Sequence, residues 1–153
     1  MMEHEMKVSE LRDGMSLPAV QHIITQEKIN LYAEASGDLN PIHIDEEFAS
    51  KTAAGGTIAH GMLILAYVSE MMTAAFGESW LRSGKLNVRF RAPARPGDTV
   101  TVSGKVGRVE AVNGGKLVTC EVLCANQKAE VIINGEARVF NNSSLRALTL
   151  RSG

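Results

Sequence analysis

Asp38 and His43, five positions apart, are the residues of this chain best suited to chemistry. They offer a carboxylate that is ionised at neutral pH and a ring that titrates near it, the two groups needed for general acid–base work on a small polar molecule. On one α-helix they would point about 140° apart and could hardly share a water. Pro41 lies between them, fixes its own φ and disfavours a helical Asn40, so the spacing predicts a bent loop that turns both inward. Spacing alone leaves a second reading open, in which Asp38 caps a turn through backbone bonds and His43 fills a gap. Asp38, Asn40, His43 and Asp45 also carry possible metal ligands. The calcium-loop pattern fails, because Ile42 holds its fifth position and His43 stands where glycine is required. Zinc would want a tighter set of His and Cys, so no metal is expected.

The elements that must position this pair can be read outward from it. At 153 residues the chain fits one domain with a real core, over 1–153, with 1–14 and 141–153 as less ordered ends. Thr25 reads as an N-cap for a helix from Gln26 to about Ser36, with Ile29, Tyr32 and Ala33 on one face. Asp45-Glu46-Glu47 begins a short helix, and Gly55-Gly56 ends it. The stretch from about His60 to Phe76 is apolar on nearly every side and predicts a helix buried all round, stopped by Gly77. It is too short, and too interrupted by Ser69, Glu70 and Thr73, to cross a bilayer.

A short strand is predicted at Ala19–Ile24. From Lys85 the period becomes two, with Leu86, Val88, Phe90 and Ala92 on a buried face and Lys85, Asn87, Arg89 and Arg91 on a wet one. Strands over Asp98–Val109, Lys116–Cys124 and Ala129–Phe140 follow, the first two joined at Asn113-Gly114-Gly115. Helices followed by an antiparallel meander imply an α+β layout, a sheet wrapping the one long apolar helix.

The net charge of −1, with scattered Lys and Arg, gives no sign of nucleic acid or a membrane surface as partner. Met1 to Arg12 is charged and lacks an apolar run, and Cys120 and Cys124 sit four apart on one face of a strand as small core residues. A soluble protein of a reducing cytoplasm is expected.

The run from Tyr32 to His43, followed by Ala49, closely resembles the signature of the MaoC-like dehydratases, which include (R)-specific enoyl-CoA hydratases. Ala35 departs from it, a small change in packing beneath the loop. The resemblance extends through Gly56–Leu63 to Pro96-Gly97-Asp98 and so covers most of the chain. It implies a hot-dog fold, an antiparallel sheet wrapped around a long central helix, in a homodimer or dimer-based homo-oligomer. It also implies that Asp38 takes a proton from a water added to a 2-enoyl thioester, while His43 orients that water and helps protonate the α-carbon. Asn40 would hold the loop in shape.

Gly61 opens the long helix, where an uncovered N–H suits a thioester oxygen becoming enolate-like. On sequence alone this glycine reads as a site of close packing; the resemblance gives it the donor role. Ser69 either bonds near the catalytic pair, as the resemblance implies, or bonds back to its own helix. Glu70 and Thr73 meet solvent or a partner subunit, and His60 reads as packing or capping. Lys85, Arg89, Arg91 and Arg95 are each an ordinary solvated residue or a contact for the phosphates of coenzyme A or a carrier. The resulting expectation is a lyase interconverting 2-enoyl-CoA and (R)-3-hydroxyacyl-CoA, with coenzyme A as part of the substrate and no cofactor. An acyl-carrier thioester is the other form of substrate. A hot-dog thioesterase and a non-catalytic acyl-thioester binding module are the alternatives.

Overall fold

Four antiparallel strand pairings build one five-stranded sheet, and its inner face closes on a single long helix. The computed structural model describes residues 5–142. In chain order the elements are β1 (Val20–Ile23), α1 (Gln26–Ser36), α2 (Pro41–Ile44), α3 (Glu46–Ser50), α4 (Gly61–Phe76), α5 (Glu78–Ser83), β2 (Lys85–Phe90), β3 (Thr99–Val112), β4 (Gly115–Ala125) and β5 (Val131–Asn141), with a 3-10 turn at Val8–Glu10. The sheet order is β1-β3-β4-β5-β2. This is the α+β hot-dog layout the sequence implied.

The alternation of each strand explains which face is inward. Val100, Val102 and Val106 of β3, Val118, Val122 and both cysteines of β4, and Ile133, Ala137 and Val139 of β5 are buried. They meet a stripe of α4 made by Leu63, Ile64, Val68, Met71, Met72, Ala75 and Phe76, spaced three and four apart as one helix face requires. The α4 helix packs on β1, β3, β4 and β5.

Four expectations change. First, α4 is not covered all round: Met62 is 58% exposed, and Ala66 and Glu70 share that open side. One sheet can cover only one side of a helix. Second, only β3-β4-β5 is a meander, because β2 pairs with β5 and not with β3. Pro93 and Pro96 make the connection too long and stiff for a hairpin, and it runs past the start of α4, where Ala59 N–H donates to the Ala94 carbonyl. Third, Phe90 is 53% exposed although its alternation predicts burial. It ends an edge strand, with nothing beyond it in the sheet. Fourth, the described part of the amino-terminal end is attached: Met6 N–H donates to the Ala75 carbonyl, Gly14 N–H to that of Val106, and Leu11 joins the core. At the other end Asn141 is buried within β5. Residues 1–4 and 143–153, which complete the two predicted ends, lie outside the described residues.

A helix missed in the sequence, α5, turns back after Gly77 and places Trp80 in the core. Gly77 takes φ +55, so the chain reverses there instead of continuing α4.

The core stripe of α4 should dominate stability. Phe76→Ala, at a residue 1% exposed, is expected to cost about 3–5 kcal/mol in urea unfolding. Leu81→Ala, at a residue 72% exposed on α5, is expected to change stability by no more than about 0.5 kcal/mol.

Candidate active site

The segment that carries Asp38 is shaped by two helix ends meeting head to tail. Gly37 closes α1 with φ +77, its N–H bonding to the Ala33 carbonyl. Three residues later Asn40 opens α2, its Oδ1 accepting from Ile42 N–H at 3.1 Å, with Pro41 in the first turn, where its missing N–H costs nothing. The sequence placed both catalytic candidates on a loop. Asp38 is on one, but His43 is in the single turn of α2, because the proline that ends helical geometry for Asn40 also starts a new helix. Asp45 then caps α3, accepting from Phe48 N–H.

Each side chain of the pair is held by one of its atoms and presents the other. Asp38 Oδ1 accepts from Asn40 N–H at 3.3 Å, which leaves Oδ2 to face His43. His43 Nδ1 lies 2.8 Å from the Ile58 carbonyl, a contact that requires an N–H on Nδ1. Its Nε2 is therefore the nitrogen left free of the backbone, and it stands 4.0 Å from Asp38 Oδ2. That distance is too long for a direct hydrogen bond. Two bonds of about 2.8 Å meeting at one oxygen at roughly a right angle would span it. The His43 side chain is 12% exposed and that of Asp38 54%, so the imidazole is largely buried and the carboxylate is open to solvent.

A polar network clamps the backbone around His43. Gln26 Nε2 donates to the His43 carbonyl at 2.8 Å, and Gln26 Oε1 accepts from Thr57 Oγ1 at 2.7 Å. Thr57 N–H in turn donates to Glu46 Oε2 at 3.0 Å. Nothing in the spacing of Gln26, Glu46 and Thr57 marks them as one unit, and the sequence reading missed them.

His60 is buried at 2% exposure. Its Nε2 lies 3.0 Å from the Asp38 carbonyl, and its ring stacks on that of His43 at 3.9 Å. The packing expected of it is present, and the packing is against both members of the pair. Asp38, His43 and His60 bring one possible ligand atom each within 4.8 Å of one another. As a metal cage the set fits poorly. Stacked imidazoles direct their lone pairs side by side, whereas a cation bound at about 2 Å needs them to converge. One nitrogen of each ring is also engaged by a backbone carbonyl.

Gly61 follows His60 as the first residue of α4, and its N–H has no acceptor among the described residues. A Cβ at this position would lie 3.0 Å from Phe90 Cε1. Ser69 is two turns further on, about 12 Å along the axis. Its Oγ accepts from Trp80 Nε1–H at 3.0 Å, so it braces α5 rather than bonding beside the pair. Thr73 donates to the Ser69 carbonyl, and Glu70 Oε2 sits 2.6 Å from His22 Nε2. The His22 ring stacks on Tyr67, whose hydroxyl is pushed up by burial and then by the Glu70 charge.

Arg89 and Arg91 point to the outer face of the sheet. They line a groove of about 970 Å³ shared with Lys105, Glu121 and Glu136, and Arg91 is bonded to Asn134. Its mixed charge makes it a poor phosphate site, and it lies on the opposite face of β2 from the contact between Phe90 and Gly61. Cys120 and Cys124 are buried in the core, and burial pushes their thiols up to about 12 and about 11.

Residues 10–127 match the family model described as the MaoC like domain. The chain is 32% identical over 131 residues to an (R)-specific enoyl-CoA hydratase of Rhodospirillum rubrum, covering 86% of this chain and 88% of that one. It is 36% identical over 114 residues to a 3-hydroxybutyryl-CoA dehydratase of Methylorubrum extorquens, covering 71% and 67%. Among solved structures, the unliganded R-hydratase PhaJ1 of Pseudomonas aeruginosa superposes with a TM-score of 0.75 at 28% identity, over 88% of this chain and 84% of that one.

The raised thiols have a measurable consequence. Above pH 9, the ordinary value for these thiols, the unfolded chain loses protons that the folded chain keeps. Stability is therefore expected to be unaffected by the cysteines below pH 9 and to fall from there toward pH 12. Neither thiol should react with a disulfide reagent at pH 8 in the native protein, and both should react in denaturant.

Proposed function

The chain belongs to the MaoC-like dehydratase family, and from that premise we propose that it interconverts a 2-enoyl thioester and the (R)-3-hydroxyacyl thioester, with Asp38 and His43 activating one water. The observation that carries this reading is the 4.0 Å gap between Asp38 Oδ2 and His43 Nε2, with the other atom of each group already engaged. Held in this way, Asp38 Oδ2 and His43 Nε2 are spaced so that both can bond one water between them. A water between them is oriented before any substrate arrives, which lowers the entropic part of the barrier.

Hydration then proceeds with its protons in balance. As the water oxygen bonds to the β-carbon, Asp38 takes one of its protons. His43, protonated at Nε2, gives a proton to the α-carbon, and the product carries one added hydroxyl and one added hydrogen. The next water, bonded to both groups, returns the proton from Asp38 to His43. Dehydration is the same sequence reversed.

The developing enolate oxygen needs a donor, and the Gly61 N–H, uncovered at the positive end of α4, has the chemistry for it. Asn40 serves by holding Asp38 Oδ1 through its N–H and by starting α2 with its side chain. Ser69 Oγ accepts from Trp80 Nε1–H, and its own O–H keeps the capacity to donate. Acid and base both come from the protein, so we read the enzyme as cofactor-free, with coenzyme A or an acyl carrier as the handle of its substrate. The open side of α4 at Met62 and the unpaired edge of β2 at Phe90 support a homodimer formed along that edge. Among the described residues no helix is long and apolar enough to cross a membrane.

Turnover of crotonyl-CoA, followed by loss of the enoyl absorbance with free thiol assayed in parallel, tests the assignment. Asp38→Asn and His43→Ala are each expected to lower kcat by about 10²–10⁴-fold with the thermal midpoint little changed. Wild-type turnover in either variant removes the mechanism. Thiol release at the rate of substrate loss would instead make the protein a thioesterase. Binding of acyl-CoA without either change would make it a binding module.

A further inference from the structure

We infer that His60 is the positioning residue of this site, setting the gap between Asp38 and His43 from beneath. The inference rests on the assignment of those two residues as the catalytic pair. A neutral imidazole has one N–H, and the contact of His60 Nε2 with the Asp38 carbonyl at 3.0 Å requires that N–H on Nε2. Nδ1 is then a bare acceptor, buried and without a partner among the described residues. A residue present only for packing would not be built this way. An apolar ring of similar size would fill the same space without burying an unsatisfied nitrogen.

What the imidazole adds over such a ring is the bond to the Asp38 backbone. Asp38 lies between the left-handed Gly37 and the cap of α2, on a stretch with no strand or helix of its own. The His60 N–H holds its carbonyl, Ser36 Oγ accepts from its N–H, and Asn40 N–H holds its Oδ1. The same ring also supports the base of the His43 imidazole, stacked at 3.9 Å and tilted by 27°. On its far side His60 meets Tyr32 of α1 at 4.8 Å. Its own backbone is anchored because its carbonyl accepts from Leu63 and Ile64 N–H in the first turn of α4. The Asp38 main chain and the His43 imidazole are therefore both referenced to one side chain at the head of the core helix. Loss of the Nε2–H should let Asp38 drift, and an error on the order of 1 Å in such a site costs about 10²-fold in rate.

Three substitutions separate positioning from packing. Glutamine can place an amide nitrogen where Nε2 stood, asparagine where Nδ1 stood, and phenylalanine keeps the ring without a donor. His60→Gln is expected to retain kcat within about 10-fold of wild type, whereas His60→Asn and His60→Phe lose about 10²-fold, with KM for crotonyl-CoA within about 3-fold in all three. Thermal midpoints should run the other way, with His60→Phe at least as stable as His60→Gln. Wild-type kcat in His60→Phe, equal losses in all three, or losses confined to KM would overturn the inference. Asp38→Asn and His43→Ala are measured alongside. If they remain active, the catalytic assignment fails and this inference fails with it. If they are inactive while His60→Phe is not, this inference alone fails.

Discussion

The contact on which the site depends is the 2.8 Å bond from His43 Nδ1–H to the Ile58 carbonyl. It fixes which nitrogen of His43 carries the permanent proton, and so which one exchanges protons with a reactant. It also ties the single turn of α2 to the extended strap leading into α4. A helix of four residues has almost no stability of its own, since its hydrogen bonds barely offset the cost of nucleation. It persists because Asn40 and Pro41 start it, Gln26 holds its last turn through the His43 carbonyl, and Ile58 holds its functional side chain. The strap bonds back as well, through Ile58 N–H to the Ile42 carbonyl. The proposed acid–base pair sits on local caps whose registry comes from elsewhere.

That registry comes from the core. The strap is fixed at one end by Thr57, bonded to Gln26 and Glu46, and at the other by Ala59 N–H on the Ala94 carbonyl in the β2–β3 connection. Immediately beyond, α4 is locked by its apolar stripe against four strands. Few routes lead from the hydrophobic core to His43, and each is short, so the position of the imidazole is inherited from the buried core. Asp38 is held by His60, by Asn40 and, through its N–H, by Ser36 Oγ at the end of α1.

Much of this was legible in the chain. The bounds of α1 follow from Thr25 and Gly37, and the alternation from Lys85 onward gives the strands, because both signals are local. The pairing of β2 with β5 was not legible, since period-two alternation says which face is wet and nothing about which strand lies beside which. The helical state of His43 was missed because the effect of a proline on the residue before it was weighed without its effect as a first helical residue. Exposure at Met62 and Phe90 could not be read from the apolar pattern, which registers a demand for cover but not its source. Ser69 has its place on the helix as expected, but the bond it accepts from Trp80 was not legible, because it comes from a helix that the sequence reading did not find. Gln26, Glu46 and Thr57 left no signal, because a network of ordinary polar residues from three segments has no spacing of its own.

Gly61 shows why the bland and the functional readings of a residue need not compete. The sequence offered two reasons for a glycine at the head of α4: close packing, or an uncovered donor. A Cβ at this position would press on the Phe90 ring at 3.0 Å, so the packing reason is real. Phe90 is itself half exposed, so its ring need give by only a few tenths of an ångström to admit a larger residue, while the N–H stays uncovered at the helix start. Close packing beside Phe90 and the uncovered N–H proposed as a donor belong to the same backbone position, so neither excludes the other, and the edge-strand position that leaves Phe90 half exposed is part of the same arrangement.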